Sequence, residues 1–114
     1  DRSPSRGLGD VYKRQDISSV EEAVTAQALG FDCVGTTLYG YTAETAGHSL
    51  PENDCAFLKA VLAAVTVSVV AEGNVDTPER AARCLALGAH TVVVGGAITR
   101  PQQITERFMA AIGA

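Results

Sequence analysis

The chain has 114 residues, of which 46% are hydrophobic, and a formal net charge of −4 at pH 7. This length predicts one domain, and the composition excludes an intrinsically disordered chain. The negative charge argues against a nucleic-acid-binding protein, and no apolar run approaches the ~20 residues of a membrane-spanning helix. The chain has three cysteines, Cys33, Cys55 and Cys84, an odd number, and none of them are at CxxC spacing. Such cysteines are typically buried thiols in a reducing cytoplasm.

The first fifteen residues, "DRSPSRGLGDVYKRQ", differ from the rest of the chain. They are basic where the remainder is acidic, and they show neither the period of a strand nor that of a helix. The segment resembles translated adapter or cloning sequence, so it is excluded from fold reasoning. We expect residues 1–15 to be a disordered foreign tail and residues 16–114 to form a partial domain that begins in mid-fold.

Helices and short apolar strands alternate from Asp16 onward. A helix that stops at Gly30 is followed by the strand "FDCVGTTL", and a longer loop leads to the helix "DCAFLKAVLAAV". "TVSVVAEG" is apolar in its middle, as a strand covered on both faces would be. A third helix has Thr77 as its N-cap and stops at Gly88, and "HTVVVGG" and "RPQQITERFMAAIG" are the last strand and helix.

This alternation predicts a parallel sheet with crossover helices, an α/β fold. A doubly wound sheet and part of a (β/α)8 barrel both fit the pattern, and the absence of GxGxxG argues against dinucleotide binding. In both folds ligands bind at the C-terminal ends of the strands. Polar residues and glycines recur at those ends: Asp16, Thr36, Thr37, Tyr39, Tyr41, Glu72, Gly73, Asn74, Gly95, Gly96, Thr99 and Arg100.

The stretch "TVVVGGAITRP" places two glycines, Gly95 and Gly96, between a strand and the start of a helix. Backbone N–H groups at such a position can approach an anion closely, and Arg100 can add a charge-assisted contact. This arrangement is typical of phosphate sites after the last strands of barrels. Glycines are equally common in tight turns that bind nothing, so both interpretations stand.

Glu72 directly follows an apolar strand, where partial burial would let it exchange protons near neutral pH. The alternative is a solvated loop acid or a cap of the following helix. Asp16 fits a catalytic role and an N-cap or turn role equally well. Tyr39 and Tyr41 fit either a lid or simple loop packing.

Together, "GTTLYGYT", "AEGN" with "TPE", and "VVVGGAITRP" resemble the bacterial N-acetylmannosamine-6-phosphate 2-epimerases, from Asp16 to about Ile112. The resemblance implies the C-terminal half of a (β/α)8 barrel, because a complete barrel needs about 250 residues. It also implies a cytoplasmic isomerase of sialic acid catabolism that converts N-acetylmannosamine 6-phosphate into N-acetylglucosamine 6-phosphate and back. The implied chemistry removes and returns the proton at C2, with no metal and no organic cofactor.

By motif, Glu72 and Asp16 match the active-site glutamate and aspartate of that family. Six residues match its phosphate- and sugar-binding loops: Gly73, Gly95, Gly96, Arg100, Thr37 and Tyr41. Gly96 replaces the family's usual serine. The family's catalytic lysine lies in the half that this chain lacks, and Lys13 in the foreign-looking tail is no substitute. We therefore expect the chain to be inactive on its own.

Two alternatives remain open from the sequence. Another phosphosugar barrel enzyme, such as a ribulose-phosphate 3-epimerase, would share the "VVVGG" ending but would not explain "GTTLYGYT". A non-catalytic half-barrel module would leave two strand edges unpaired and would associate with a copy of itself. The expected partners are thus a small sugar phosphate and, in the second case, another copy in a homo-oligomer, with no nucleic acid and no membrane.

Overall fold

The computed structural model describes residues 12–113, and its elements alternate as the sequence predicts. The strands are β1 (Arg14–Asp16), β2 (Cys33–Gly35), β3 (Ser68–Glu72) and β4 (Thr91–Val93), and the helices are α1 (Val20–Ala28), α2 (Glu52–Ala64), α3 (Pro78–Leu87), α4 (Gly96–Thr99) and α5 (Pro101–Ile112). The short α4 is an addition that the sequence patterns did not predict. None of these helices has the length and apolarity needed to cross a membrane.

The four strands form one parallel sheet in the order β1-β2-β3-β4, so each strand lies beside its neighbour in sequence. Helices α1, α2 and α3 each pack on the strand that follows them, and neighbouring helices touch, so they form one layer. A doubly wound sheet would reverse its strand order and carry helices on both faces. The sheet therefore has the organisation of consecutive βα units of a (β/α)8 barrel.

The core lies between the sheet and this helix layer. Val34 of β2 and Val69 and Ala71 of β3 point toward the helices and are buried, where they join Leu58 and Val61 of α2 in one apolar cluster. All three residues at the centre of β3 are buried, which confirms the prediction of a strand covered on both faces. Burial of these side chains is the main favourable contribution to the fold.

The opposite face of the sheet carries the polar groups. Because side chains alternate along a strand and the register aligns Asp16 with Gly35 and Val70, Arg14, Asp16, Gly35 and Glu72 all belong to this second face. In a complete barrel this face would be the interior. The sequence thus separates an apolar face for the helices from a polar rim for a ligand.

The boundaries of α3 follow the predicted caps, and α1 begins with an N-cap of the same kind. Ser19 accepts a hydrogen bond from the Glu22 N–H group, Thr77 accepts one from the Arg80 N–H group, and Gly88 ends α3 in the left-handed conformation. The start of α2 differs, because Asn53–Cys55 have positive φ and regular helix follows only after them. Asn and Asp tolerate this conformation better than most residues.

The first two residues of strand β1, Arg14 and Gln15, belong to the segment that was excluded from fold reasoning. Arg14–Asp16 pair in register with Cys33–Gly35, so the boundary expected between residues 15 and 16 falls within a strand. Backbone pairing does not depend on side-chain type, and a strand of three residues shows too little alternation to be recognised. Residues 1–11 lie outside the described part of the chain, so their expected disorder stays a prediction.

The three cysteines are buried and free, as expected. Burial, with smaller contributions from the neighbouring Cys55, raises the pKa of the Cys84 thiol from 9.0 to about 11. The unfolded chain loses this proton near pH 9, whereas the folded chain keeps it. The contribution of Cys84 to stability is therefore complete below pH 9 and is lost as the pH rises toward 11.

We predict that Cys84→Ala will remove this part of the alkaline loss of stability. Urea midpoints measured across the interval from pH 9 to pH 11 should fall more steeply for the unmodified chain than for the variant. Equal slopes for the two proteins would contradict the assignment to Cys84.

Candidate active site

A cavity of about 510 Å³ opens beyond the C-terminal ends of β3 and β4. Most of the predicted site residues line it: Thr37, Tyr41, Glu72, Gly73, Gly95, Gly96 and Arg100. Asp16, the remaining one, lies beside the cavity, with its Oδ1 atom 3.3 Å from the Thr37 hydroxyl group. The structure therefore brings the predicted residues to one rim of the sheet, while their individual roles stay predictions.

The Thr36 hydroxyl group fixes the backbone of Glu72. It donates to the Glu72 carbonyl oxygen at 2.8 Å and accepts from the Glu72 N–H group at 2.9 Å, and Thr36 is completely buried. The end of β3 is thereby held against β2, and the Glu72 carboxylate projects onto the polar face with 27% of the side chain exposed. A partly buried carboxylate is one of the two alternatives that the sequence left open for Glu72.

Arg14 joins the two candidate catalytic carboxylates, although the sequence patterns did not point to it. Its Nη2 atom lies 2.7 Å from Asp16 Oδ1, 2.5 Å from Glu72 Oε1 and 2.7 Å from the Thr37 hydroxyl oxygen. The hydrogen bond to Glu72, more than the one to Asp16, keeps the pKa of Arg14 above its ordinary value, against the opposing effect of burial. The signal that could have revealed Arg14 is its spacing of two residues from Asp16, since residues two apart in a strand share a face.

Gly35 provides the space that the Arg14 side chain occupies. A Cβ atom at residue 35 would lie 2.5 Å from Nη2 and 2.8 Å from Cζ of Arg14, well inside van der Waals contact. The absence of a side chain at Gly35 thus lets a planar cationic group lie between Asp16 and Glu72. Any larger residue at 35 would displace the guanidinium from both carboxylates.

The other side of the cavity is suited to an anion. Gly95 is the N-cap of α4, and the first N–H groups of a helix have no partner within that helix. The Arg100 side chain has no hydrogen-bond or ion-pair partner among residues 12–113, and it lines the same cavity. A Cβ atom at residue 96 would lie 2.7 Å from the Gln103 side-chain oxygen. If residue 96 were the serine expected from the resemblance, the Gln103 side chain would therefore have to move.

The two tyrosines of the β2–α2 loop have different surroundings. Tyr39 stacks on Phe57 with ring centroids 3.9 Å apart, and its hydroxyl group lies 3.2 Å from Glu52 Oε2, so it packs the loop. Tyr41 lines the cavity and is 68% exposed, which leaves it free to contact a ligand. The Glu52 carboxylate that Tyr39 contacts is also hydrogen-bonded to His48, and that bond is the main effect that lowers the pKa of Glu52.

No group of three or more His, Cys, Asp or Glu side chains within residues 12–113 is arranged to hold a metal ion. The charged groups at the rim include Arg14, which contacts both Asp16 and Glu72, and Arg100. The arrangement offers carboxylates for proton transfer and a cation with helix N–H groups for an anion.

The fold and the rim are those of part of a (β/α)8 barrel with a candidate ligand site at the C-terminal ends of its strands. A family model described as "Putative N-acetylmannosamine-6-phosphate epimerase" matches residues 8–114. Because the match covers nearly the whole chain, the chain belongs to the N-acetylmannosamine-6-phosphate epimerase family.

Relatives and solved structures agree with this family. A relative from Enterobacter sp. (strain 638), named "Putative N-acetylmannosamine-6-phosphate 2-epimerase", is 83% identical over 99 residues, which are 87% of this chain and 42% of the relative. One from Staphylococcus carnosus (strain TM300) is 64% identical over 84% of this chain and 43% of its own length. The N-acetylmannosamine-6-phosphate 2-epimerase from Clostridium perfringens superposes with a TM-score of 0.76 at 46% identity, over 86% of this chain and 42% of that structure.

The chain spans somewhat under half the length of these relatives, which fits the expectation of half a barrel. The family match begins at residue 8, before the first residue expected to belong to the domain. The similarity therefore extends across β1, where Arg14 and Asp16 lie.

We predict that Thr36→Val will destabilise the fold by about 1–3 kcal/mol, because it leaves the backbone N–H and carbonyl groups of Glu72 without their partner. Urea unfolding of both proteins measures the difference. Thr105→Val on the exposed side of α5 is the matched control and should change stability by less than about 0.5 kcal/mol. Similar losses in the two variants would contradict the bridging role of Thr36.

We also predict energetic coupling between Arg14 and Glu72. A double-mutant cycle of Arg14→Gln and Glu72→Gln should give about 0.5–1 kcal/mol, since the side chains are partly exposed, and the value should shrink in high salt. The same cycle with Glu21→Gln, an exposed position on α1, should give none. A coupling energy of zero for Arg14 and Glu72 would show that the contact contributes nothing in solution.

Proposed function

We propose that the protein to which this chain belongs is an epimerase that interconverts N-acetylmannosamine 6-phosphate and N-acetylglucosamine 6-phosphate. The observation that carries the proposal is the shared cavity, because Glu72 lines the same space as Gly95, Gly96 and Arg100. An enzyme that epimerises a sugar phosphate needs two kinds of group in one cavity, an acid–base group near the sugar and an anion-binding site for the phosphate. The names of the relatives supply the identity of the sugar.

The proposed chemistry is a proton transfer at C2 of the open-chain sugar. A carboxylate removes the C2 proton, the electron pair moves toward the C1 carbonyl oxygen, and a proton then returns to C2 from the opposite face. Glu72 and Asp16 are the candidates within this chain, because both carboxylates belong to the polar face of the sheet and contact the same guanidinium. The second proton-transfer group is expected from the part of the barrel that this chain lacks.

The phosphate would bind where α4 begins. The N–H groups that follow Gly95 and the unpaired Arg100 guanidinium supply hydrogen bonds and positive charge there. A short additional helix after a late strand is a common phosphate-binding element of (β/α)8 barrels. Thr37 and Tyr41, at the same cavity, would contact the sugar.

Arg14 explains why the chain would be a poor catalyst by itself. Its guanidinium lies between the two carboxylates that the reaction needs, and a carboxylate held in such an ion pair is less available to take a proton from carbon. A cytoplasmic role in sialic acid catabolism follows from the proposed substrate, and the three reduced, buried cysteines fit that compartment.

The experiment is a chimera of the full-length Enterobacter relative in which residues 16–113 of this chain replace the matching segment. Loss of deuterium from C2-labelled N-acetylmannosamine 6-phosphate, followed by NMR, reports the proton transfer directly. We predict exchange by the chimera and a loss of at least about a hundredfold on Glu72→Gln, since a positioned acid–base group contributes that much.

Glu79→Gln, in the first turn of α3 and exposed, is the matched control and should leave exchange unchanged. A folded chimera that exchanges deuterium equally well with Gln at position 72 would refute the role of Glu72. Turnover of ribulose 5-phosphate in place of the amino sugar would instead favour a different phosphosugar epimerase.

A further inference from the structure

Arg107 on α5 joins two separate segments of the chain through their backbones. Its Nη1 atom donates to the Asp76 carbonyl oxygen at 3.1 Å, and its Nη2 atom donates to the Ala97 carbonyl oxygen at 3.0 Å. Asp76 belongs to the β3–α3 loop, residues 73–77, and Ala97 belongs to α4, which follows β4. The donors of a guanidinium form a rigid planar fork, so the two bonds fix the separation of the two carbonyl groups.

Both segments line the candidate active-site cavity. The β3–α3 loop contributes residues 73–76 to the lining, and the chain after β4 contributes Gly95, Gly96, Ala97 and Arg100. Within residues 12–113, no hydrogen bond runs directly between residues 73–77 and residues 95–100, whereas Arg107 bonds to both segments. The separation of the two segments across the cavity therefore depends on the Arg107 side chain.

Arg107 itself does not line that cavity. It lines a second cavity of about 300 Å³, which shares Asp76, Ala97 and Gln103 with the first. Its Nη1 and Nη2 atoms donate to backbone carbonyl oxygens, unlike those of Arg100, which lines the first cavity and has no partner within residues 12–113. Arg107 would thus act on a bound ligand through the two segments and not by direct contact.

The position of Glu72 does not depend on Arg107. The Thr36 hydroxyl group of the neighbouring strand holds the Glu72 backbone, and Arg107 makes no hydrogen bond to Glu72. Loss of the Arg107 side chain would therefore loosen the segments that surround the ligand and leave the candidate proton-transfer group in place.

We propose that Arg107 is a positioning residue for the phosphosugar, because it holds the β3–α3 loop and residues 95–100 at the separation that one substrate molecule spans. This inference rests on the proposed function and adds a residue to its binding site. Binding energy that is lost equally from the bound substrate and from the transition state raises KM and leaves kcat unchanged. A split between KM and kcat is therefore the signature of this role.

The chimera that carries residues 16–113 of this chain tests the proposal through its steady-state kinetics. We expect Arg107→Ala to raise KM for N-acetylmannosamine 6-phosphate about tenfold and to keep kcat within about twofold. Arg107→Lys should restore little of the loss, since an ammonium group on a flexible stem keeps the charge but lacks the rigid fork. Full rescue by lysine would show that positive charge alone is needed and would overturn the positioning role.

Arg83→Ala is the matched control. The Arg83 guanidinium also joins two elements, because its Nε and Nη2 atoms donate to the Asp54 carboxylate near the start of α2, at 3.0 and 2.8 Å. Neither Arg83 nor Asp54 lines the cavity, so this variant should leave KM unchanged, and urea midpoints report any loss of stability in both variants. An unchanged KM for Arg107→Ala, or an equal rise for Arg83→Ala, would overturn the proposal.

Binding of inorganic phosphate separates this inference from the epimerase proposal. Calorimetric titration of the chimera with phosphate should show affinity that falls about tenfold on Arg107→Ala, since the phosphate site includes residues 95–100. Phosphate binding that depends on Arg107, without any exchange of deuterium from the amino sugar, would refute the epimerase proposal and support the role of Arg107. Deuterium exchange with the same KM in the presence and absence of Arg107 would do the reverse.

Discussion

The pair of hydrogen bonds between the Thr36 hydroxyl group and the Glu72 backbone is the contact on which the arrangement of the site depends. It joins the ends of β2 and β3 at the rim, where the ladder of backbone hydrogen bonds stops. Glu72 can then carry a charged side chain toward the cavity while its backbone polar groups are satisfied in a buried place. The following glycine, Gly73, has φ of +116°, which turns the chain away at once and leaves the rim open.

Charge is divided across the rim in a way that suits a phosphorylated sugar. The carboxylates of Asp16 and Glu72 lie together on the polar face of the sheet, whereas Arg100 and the start of α4 offer positive charge and N–H groups. Arg14 offsets the two negative charges and fills the space above Gly35. A substrate that reaches Asp16 and Glu72 would have to replace these contacts with Arg14.

Much of the fold could be predicted because helices, caps and buried strands have strong local signals, as at Thr77, Gly88 and the centre of β3. The pattern of helices and strands alone could not choose between a doubly wound sheet and a barrel, since that choice depends on which face each helix covers. The resemblance to the epimerases predicted half of a barrel, and the single layer of helices confirms it. Arg14 escaped notice because its neighbours are basic and aperiodic, and only pairing with β2 reveals its position. Helix α4 was not predicted because its four residues are too few to show a helical pattern.

The most direct test of the account is to mix this chain with a separately made polypeptide that spans the part of the Enterobacter relative that this chain does not cover. Loss of deuterium from C2-labelled N-acetylmannosamine 6-phosphate would be followed by NMR for the mixture and for each component. The account predicts exchange in the mixture and none in either component alone. Absence of exchange, with both polypeptides shown to be folded and associated, would contradict it.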